Sequence, residues 1–214
     1  MKTIFYKLLI FVICNVLVAC GGKSISGSSS STLAGSGSGS SGTSFTLTSE
    51  DYTNGGAIPA IHADDIENNG TQLCANGDAE NSSPQYTWSN APEGTVSFAL
   101  IMDDETPPCD EDDGGACLHW AVYNIPASVK SFDSGVDTSE ISGVVETSDF
   151  GDGYYGPCPP NGEHTYITTI YALSIDPDLV TESLFTRSQF ESSYTNEILD
   201  QADISGTYVF TPQN

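Results

Sequence analysis

GYYGPCPPNGEHTYITTIY, residues Gly153 to Tyr171, is the stretch whose reading decides the fold. Its first ten residues carry three prolines and three glycines. Proline fixes φ and glycine permits φ > 0, so this run reads as a stiff, sharply turned loop. The residues from His164 to Tyr171 are β-branched and aromatic, the signature of a strand. A rigid loop that feeds a strand opening on His164 and Tyr166 is a suitable frame for a small polar site. A plain turn with a surface histidine is the competing reading of these residues alone.

Working outward, the same logic gives more strands. Phe45 to Thr48 alternates in polarity, and Tyr86 to Trp88 reads as a short strand. Val96 to Met102 (VSFALIM) and Trp120 to Ile125 (WAVYNI) are apolar runs suited to buried central strands. Gly143 to Asp149 has room for a short one, and Ile204 to Phe210 closes the chain as another. Asp51 to Ser83 is long and irregular. Ser188 and Glu191 are spaced as a capping box, with Phe190, Tyr194, Ile198 and Leu199 at helical spacing after them, which predicts a helix over 189–201. A shorter helix fits 177–184. The fold class is therefore mostly β with one or two helices in the C-terminal half.

Residues 1–19 have the form of an export signal. Lys2 and Lys7 precede the apolar run Leu8 to Val18, which is too short for a membrane span. Leu17-Val18-Ala19-Cys20 resembles a bacterial lipobox, which implies lipidation at Cys20. Gly21 in the following position fits sorting to the outer membrane of a bacterial cell envelope. Residues 20–44 are dominated by Gly and Ser and read as a flexible tether with a reach of roughly 25 Å. Residues 45–214 remain as a single domain.

From Cys20 onward, only Lys23, Lys130 and Arg187 oppose 29 acids, a net charge of −26. Such a surface excludes nucleic acid as a partner and excludes charge-driven adhesion to anionic lipid. Membrane contact is expected through the N-terminal lipid alone. Beyond Cys14 and Cys20, four cysteines remain, an even number in an oxidising compartment, so two disulfides are expected. Of the three possible connectivities, Cys109–Cys117 with Cys74–Cys158 is favoured, the first closing a short acidic loop. A four-thiolate zinc site lacks any CxxC pair. Asp110 to Gly114 is oxygen-rich but lacks the spacing of a calcium loop, and reads as a solvated charge run. His62 receives no role.

Three ordered motifs carry polar groups to strand ends. They are Asp-x-x-x-Pro from Asp103 to Pro107, His-Trp-x-x-x-Asn-Ile-Pro from His119 to Pro126, and Gly-Tyr-x-Gly-Pro-x-Pro-Pro-x-Gly-x-His-x-Tyr from Gly153 to Tyr166. Together they resemble the phosphatidylethanolamine-binding protein (PEBP) family, in particular its bacterial Raf-kinase-inhibitor-like branch (YbhB/YbcL type). The segment from Cys74 to Trp88, with Ser82-Ser83-Pro84, is similar to an early motif of that branch. The resemblance covers about residues 45–210. It implies a PEBP-like fold, with a central antiparallel sheet, a second smaller sheet and peripheral helices. It also implies a small anion pocket. By motif, Asp103, Pro107, His119, Pro160, His164 and Tyr166 fall on its ligand-binding positions, with Tyr155 and Gly156 in the loop wall. The family's Asp-Pro-Asp-x-Pro is here Asp103-Asp104-Glu105-Thr106-Pro107, so a stiffening proline is lost.

The expected ligand is a small phosphorylated or carboxylated group or a protein partner, with no cofactor and no metal. Imidazole and phenol can donate to oxyanions. A neighbouring aspartate raises an imidazole's pKa but repels an anion, so a protonated histidine is needed for binding. No nucleophile motif is present, which argues against an enzyme, although two histidines and an acid could do acid–base work. An inhibitor or interaction protein of an extracytoplasmic enzyme is the alternative.

Overall fold

The computed structural model describes residues 43–68, 71–74, 78–104, 106, 116–175 and 185–209. Its strands are β1 (Thr46–Thr48), β2 (Gly56–Ala57), β3 (Glu67–Asn68), β4 (Thr71–Gln72), β5 (Tyr86–Ser89) and β6 (Ser97–Asp104). They continue with β7 (Cys117–Pro126), β8 (Ser131–Phe132), β9 (Val145–Thr147), β10 (Glu163–Leu173) and β11 (Ile198–Val209). The α-helix α1 (Arg187–Ser193) lies between β10 and β11. All these residues fall within the unit Ser41–Asn214.

The main sheet has six strands in the order β2-β11-β10-β6-β7-β9. Only β2 runs parallel to its neighbour; the other pairs are antiparallel. A three-stranded sheet, β1-β5-β8, packs on one face, and β3 and β4 form a two-stranded ribbon. Among the described residues the fold is thus mostly β with one α-helix, in keeping with the one or two that the sequence predicts. Trp88 of β5 and Phe132 of β8 meet edge to face at 5.3 Å, and Trp88 meets Phe98 of β6 at 5.6 Å. This larger core also holds Leu100, Met102, Trp120, Val122, Tyr166 and Ile170. The opposite face is covered by α1, with Phe190 packed among Ala99, Ile101, Ala121, Tyr123 and Tyr171. Burial on both faces explains why VSFALIM and WAVYNI are continuous apolar runs rather than alternating ones.

Three expectations are corrected. The helix is seven residues long and ends at Ser193; Ile198 and Leu199 belong to β11. Its cap is Thr186, whose Oγ1 accepts from the Gln189 amide while Gln189 Oε1 accepts from the Thr186 amide, a capping box two residues before the predicted one. Ser192, Ser193 and Thr195 are poor helix formers, and pairing with β10 claims the residues that follow. β6 runs past Met102 to Asp104, so Asp103 and Asp104 are both inside a buried strand. The helix predicted over 177–184 lies outside the described residues.

Candidate functional site

Asp103 and Asp104 are neighbours on β6, and successive strand residues face opposite sides. Asp104 shares a face with Leu100 and Met102; Asp103 shares the other with Ala99 and Ile101. Asp104 is 2% exposed, and its Oδ2 accepts from His164 Nδ1 at 2.6 Å. It also accepts from the Thr106 amide at 2.8 Å and from the Tyr166 hydroxyl. Several donors on one buried carboxylate hold it in place. Asp103 instead faces α1, where Arg187 Nη2 lies 3.1 Å from its Oδ1. The motif assignment therefore needs correction: Asp104, not Asp103, belongs to the pocket.

β7 supplies the second histidine through a bulge. Met102 pairs with Trp120 and Asp103 with Leu118, so the register skips His119. A bulge re-aims a side chain in this way. His119 meets the Tyr166 ring edge-on at 5.0 Å. Its Nδ1 donates to the Tyr155 carbonyl at 2.7 Å, and the Tyr155 amide donates back to the His119 carbonyl at 2.9 Å. The stiff loop and β7 are thereby locked together. Burial pushes the His119 pKa below its ordinary value, outweighing the Tyr155 carbonyl and the Asp104 charge, which pull it up. The aspartate does raise this imidazole, as expected from the sequence, but desolvation outweighs it.

A cavity of about 220 Å³ opens between these groups. His119, His164 and Tyr166 line it with Asp104, and Tyr155, Pro159 and Pro160 contribute from the loop. The Tyr155 hydroxyl is hydrogen-bonded to Asp64, a carboxylate 2% exposed whose pKa is raised by burial. Gly156 does not line the cavity. It lies against the backbone of 62–64, where a Cβ would run into the His62 carbonyl and the Ala63–Asp64 peptide. Its amide donates to Asn81 Oδ1 at 2.8 Å. Glycine is required there for close approach, which is how the wall reaches the long early loop. Pro107 lies outside the described residues, as do Cys20, Cys109 and the acidic run 110–114.

The loop wall is also stapled. Cys158 is disulfide-bonded to Cys74, as expected, with Cα atoms 5.0 Å apart. Cys117 is disulfide-bonded too and lines the cavity, while its expected partner Cys109 lies outside the described residues. Sequence reasoning did not assign Asp64 or Phe150 to the site, nor place Asp104 in it. Strand parity counted along β6 from Met102 to Asp104 was the one available signal, and burial on both faces erased it. His62 turns out buried, with Nδ1 against the Ser82 carbonyl at 2.7 Å and Nε2 3.4 Å from Asp51. It anchors the early loop.

In chemical terms the site is poor in free donors. Both phenols are hydrogen-bonded to carboxylates, and both Nδ1 atoms are committed to protein acceptors. The Nε2 atoms of His119 and His164 are the ring nitrogens that take no part in these bonds. Among the described residues, His164 Nε2 is buried without a hydrogen-bond partner. A buried polar atom in that state calls for an explanation.

A sheet protein with a small two-histidine pocket at strand ends is the class that fold and site define. Residues 19–209 match the sequence profile of the family described as phosphatidylethanolamine-binding protein, and the chain belongs to that family. A UPF0098 protein of Aquifex aeolicus is 35% identical over 165 residues, covering 75% of this chain and 85% of that protein. Escherichia coli YbcL, solved as a member of the mammalian PEBP family, superposes with a TM-score of 0.63 at 28% identity, covering 78% of this chain and 99% of that one. A PEBP homologue from Chlamydia trachomatis gives 0.62 at 27% identity, with coverage of 78% and 98%.

Proposed function

We propose that this chain is a binding protein for a small oxyanion, phosphoryl or carboxylate, carried on a lipid anchor at Cys20 in the bacterial cell envelope and held off the membrane by its Gly/Ser tether. One observation carries the pocket reading: two buried histidines line one cavity with Nδ1 fixed on protein acceptors, leaving Nε2 for the ligand. Before a ligand binds, His119 favours its neutral form, whose Nε2 has a lone pair and no proton. Asp104 and Asp64 add negative charge nearby. An oxyanion therefore enters with a proton, which Nε2 takes and donates back as a charge-assisted hydrogen bond. The cavity holds the head group and leaves any larger body outside.

The sign of the pH dependence follows. Burial holds the His119 pKa low in the free protein, and a bound anion raises it. Binding takes up a proton between those two pKa values, so affinity falls as pH rises through that interval. Calorimetric titration with methyl phosphate is expected to show binding at pH 5.5 that weakens at least several-fold by pH 8, with proton uptake in the reaction. His119→Ala and His164→Ala are expected to abolish it while circular dichroism stays native. An isotherm that is flat at pH 5.5, or unchanged across the range, overturns the reading.

A further inference from the structure

Phe150 is 51% exposed and lines the cavity beside His119 and Tyr155. A phenyl ring left this open forgoes apolar burial, and a merely tolerated one would sit on a loose loop. This one does not. The Ser148 amide and hydroxyl both donate to the Gly151 carbonyl, at 2.8 and 3.0 Å. Gly151 closes that turn at φ +147°, a conformation that favours glycine. On the other side of Phe150, the Asp149 amide donates to the Leu118 carbonyl at 3.0 Å, and Asp149 Oδ2 accepts from the Leu118 amide at 2.7 Å. The turn is thus pinned to β7 at the residue next to His119. The Phe150 ring stacks on Tyr155 with centroids 4.0 Å apart and planes 22° apart, and Tyr155 is in turn fixed through Asp64 and His119. His119 lies 5.7 Å away, tilted at 50°.

The cavity therefore has a polar floor and a mouth made of rings, with Phe150 and Tyr155 in the aromatic wall and Pro159 and Pro160 from the stiff loop. Resting on the oxyanion reading above, we infer that the ligand is a small aryl acid, with its phosphoryl or carboxylate group joined to a flat aromatic ring that stacks on Phe150. Fixed ring faces suit a flat partner, because stacking holds it in orientation with few bonds to freeze. An alkyl chain would lose rotational freedom to make the same contact. The phosphoryl or carboxylate group identifies the floor, and the ring gives the selectivity.

The test compares phenyl phosphate with methyl phosphate at pH 5.5 by calorimetry, in wild type, Phe150→Ala and Phe150→Trp. The ratio of the two affinities is the readout. It is expected to favour phenyl phosphate roughly 3- to 10-fold in wild type, the range of an aromatic contact. It should fall to about one in Phe150→Ala and return in Phe150→Trp. Methyl phosphate binding with a wild-type ratio of one, or a ratio unmoved by Phe150→Ala, overturns this inference and leaves the oxyanion pocket standing. Hexyl phosphate binding as tightly as phenyl phosphate overturns the flat-ring assignment. If neither phosphate binds, the pocket reading itself fails and takes this inference with it.

Discussion

Asp103 and Asp104 occupy adjacent positions on β6, both nearly inaccessible, yet each answers to a different layer of the molecule. Asp103 pairs with Arg187, the first residue of α1, and so ties the helix to the sheet. Asp104 fixes His164 and contributes a charge that pulls His119 toward its protonated form. Asparagine at the two positions should therefore give different phenotypes. Asp103→Asn leaves Arg187 facing a neutral amide in a largely desolvated setting, and a loss of about 3 kcal/mol is expected, read from urea unfolding. The pH at which methyl phosphate binding weakens should not move. Asp104→Asn removes the carboxylate that favours imidazolium, so that midpoint should shift to lower pH. The reverse pattern, or equal shifts in both variants, would return Asp103 to the pocket. The sequence could show that an acid ends a buried strand. It could not show which acid, because both faces of β6 are apolar up to that point and give no alternation from which to count.

At the scale of elements, what was legible depended on whether a local signal had a competitor. The Pro/Gly run before β10 had none: backbone restriction fixes a stiff turn whatever packs around it, and the strand behind it is rich in β-branched and aromatic residues. The helix had two competing caps. Thr186 with Gln189 and Ser188 with Glu191 satisfy the same spacing rule, and the structure uses the first. Glu191 is engaged elsewhere, accepting from the Tyr171 hydroxyl at 2.9 Å. Ile198 and Leu199 continue a helical pattern in sequence, but Ile198 pairs with Leu173 of β10, and a long ladder outweighs one more helical turn. The β7 bulge at His119 had no sequence signal, since it arises from register between two apolar strands. The cap assignment can be checked directly. Thr186→Ala should cost about 1 kcal/mol and lower the melting temperature, whereas Ser188→Ala should stay within about 0.5 kcal/mol of wild type. Equal losses would place the helix start two residues later.

For the molecule as a whole, the pocket is assembled from segments far apart in the chain, and the Cys74–Cys158 bond joins two of them across a separation of 84 residues. Between these cysteines lie β5 to β9, including the strand that bears His119. Closing so long a loop removes much of the entropy of the unfolded chain, on the order of 4 kcal/mol in the chain-entropy account. That constraint matters more in a chain of formal charge −24, where self-repulsion favours expansion. The bond is not the only tie on the wall. The Asp64 amide donates to the Pro157 carbonyl at 3.3 Å, the Tyr154 hydroxyl donates to the His62 carbonyl at 2.8 Å, and Gly156 sits against the same backbone. Stability and pocket shape should therefore separate. The double variant Cys74→Ser/Cys158→Ser, which leaves Cys117 in its own bond, is expected to unfold at a markedly lower temperature. Methyl phosphate affinity at pH 5.5, measured well below that temperature, should fall less than about 3-fold, because the hydrogen bonds and the close approach at Gly156 keep Tyr155 on His119. A complete loss of binding in a folded double variant would show that the disulfide, rather than this hydrogen-bonded seam, sets the position of the wall.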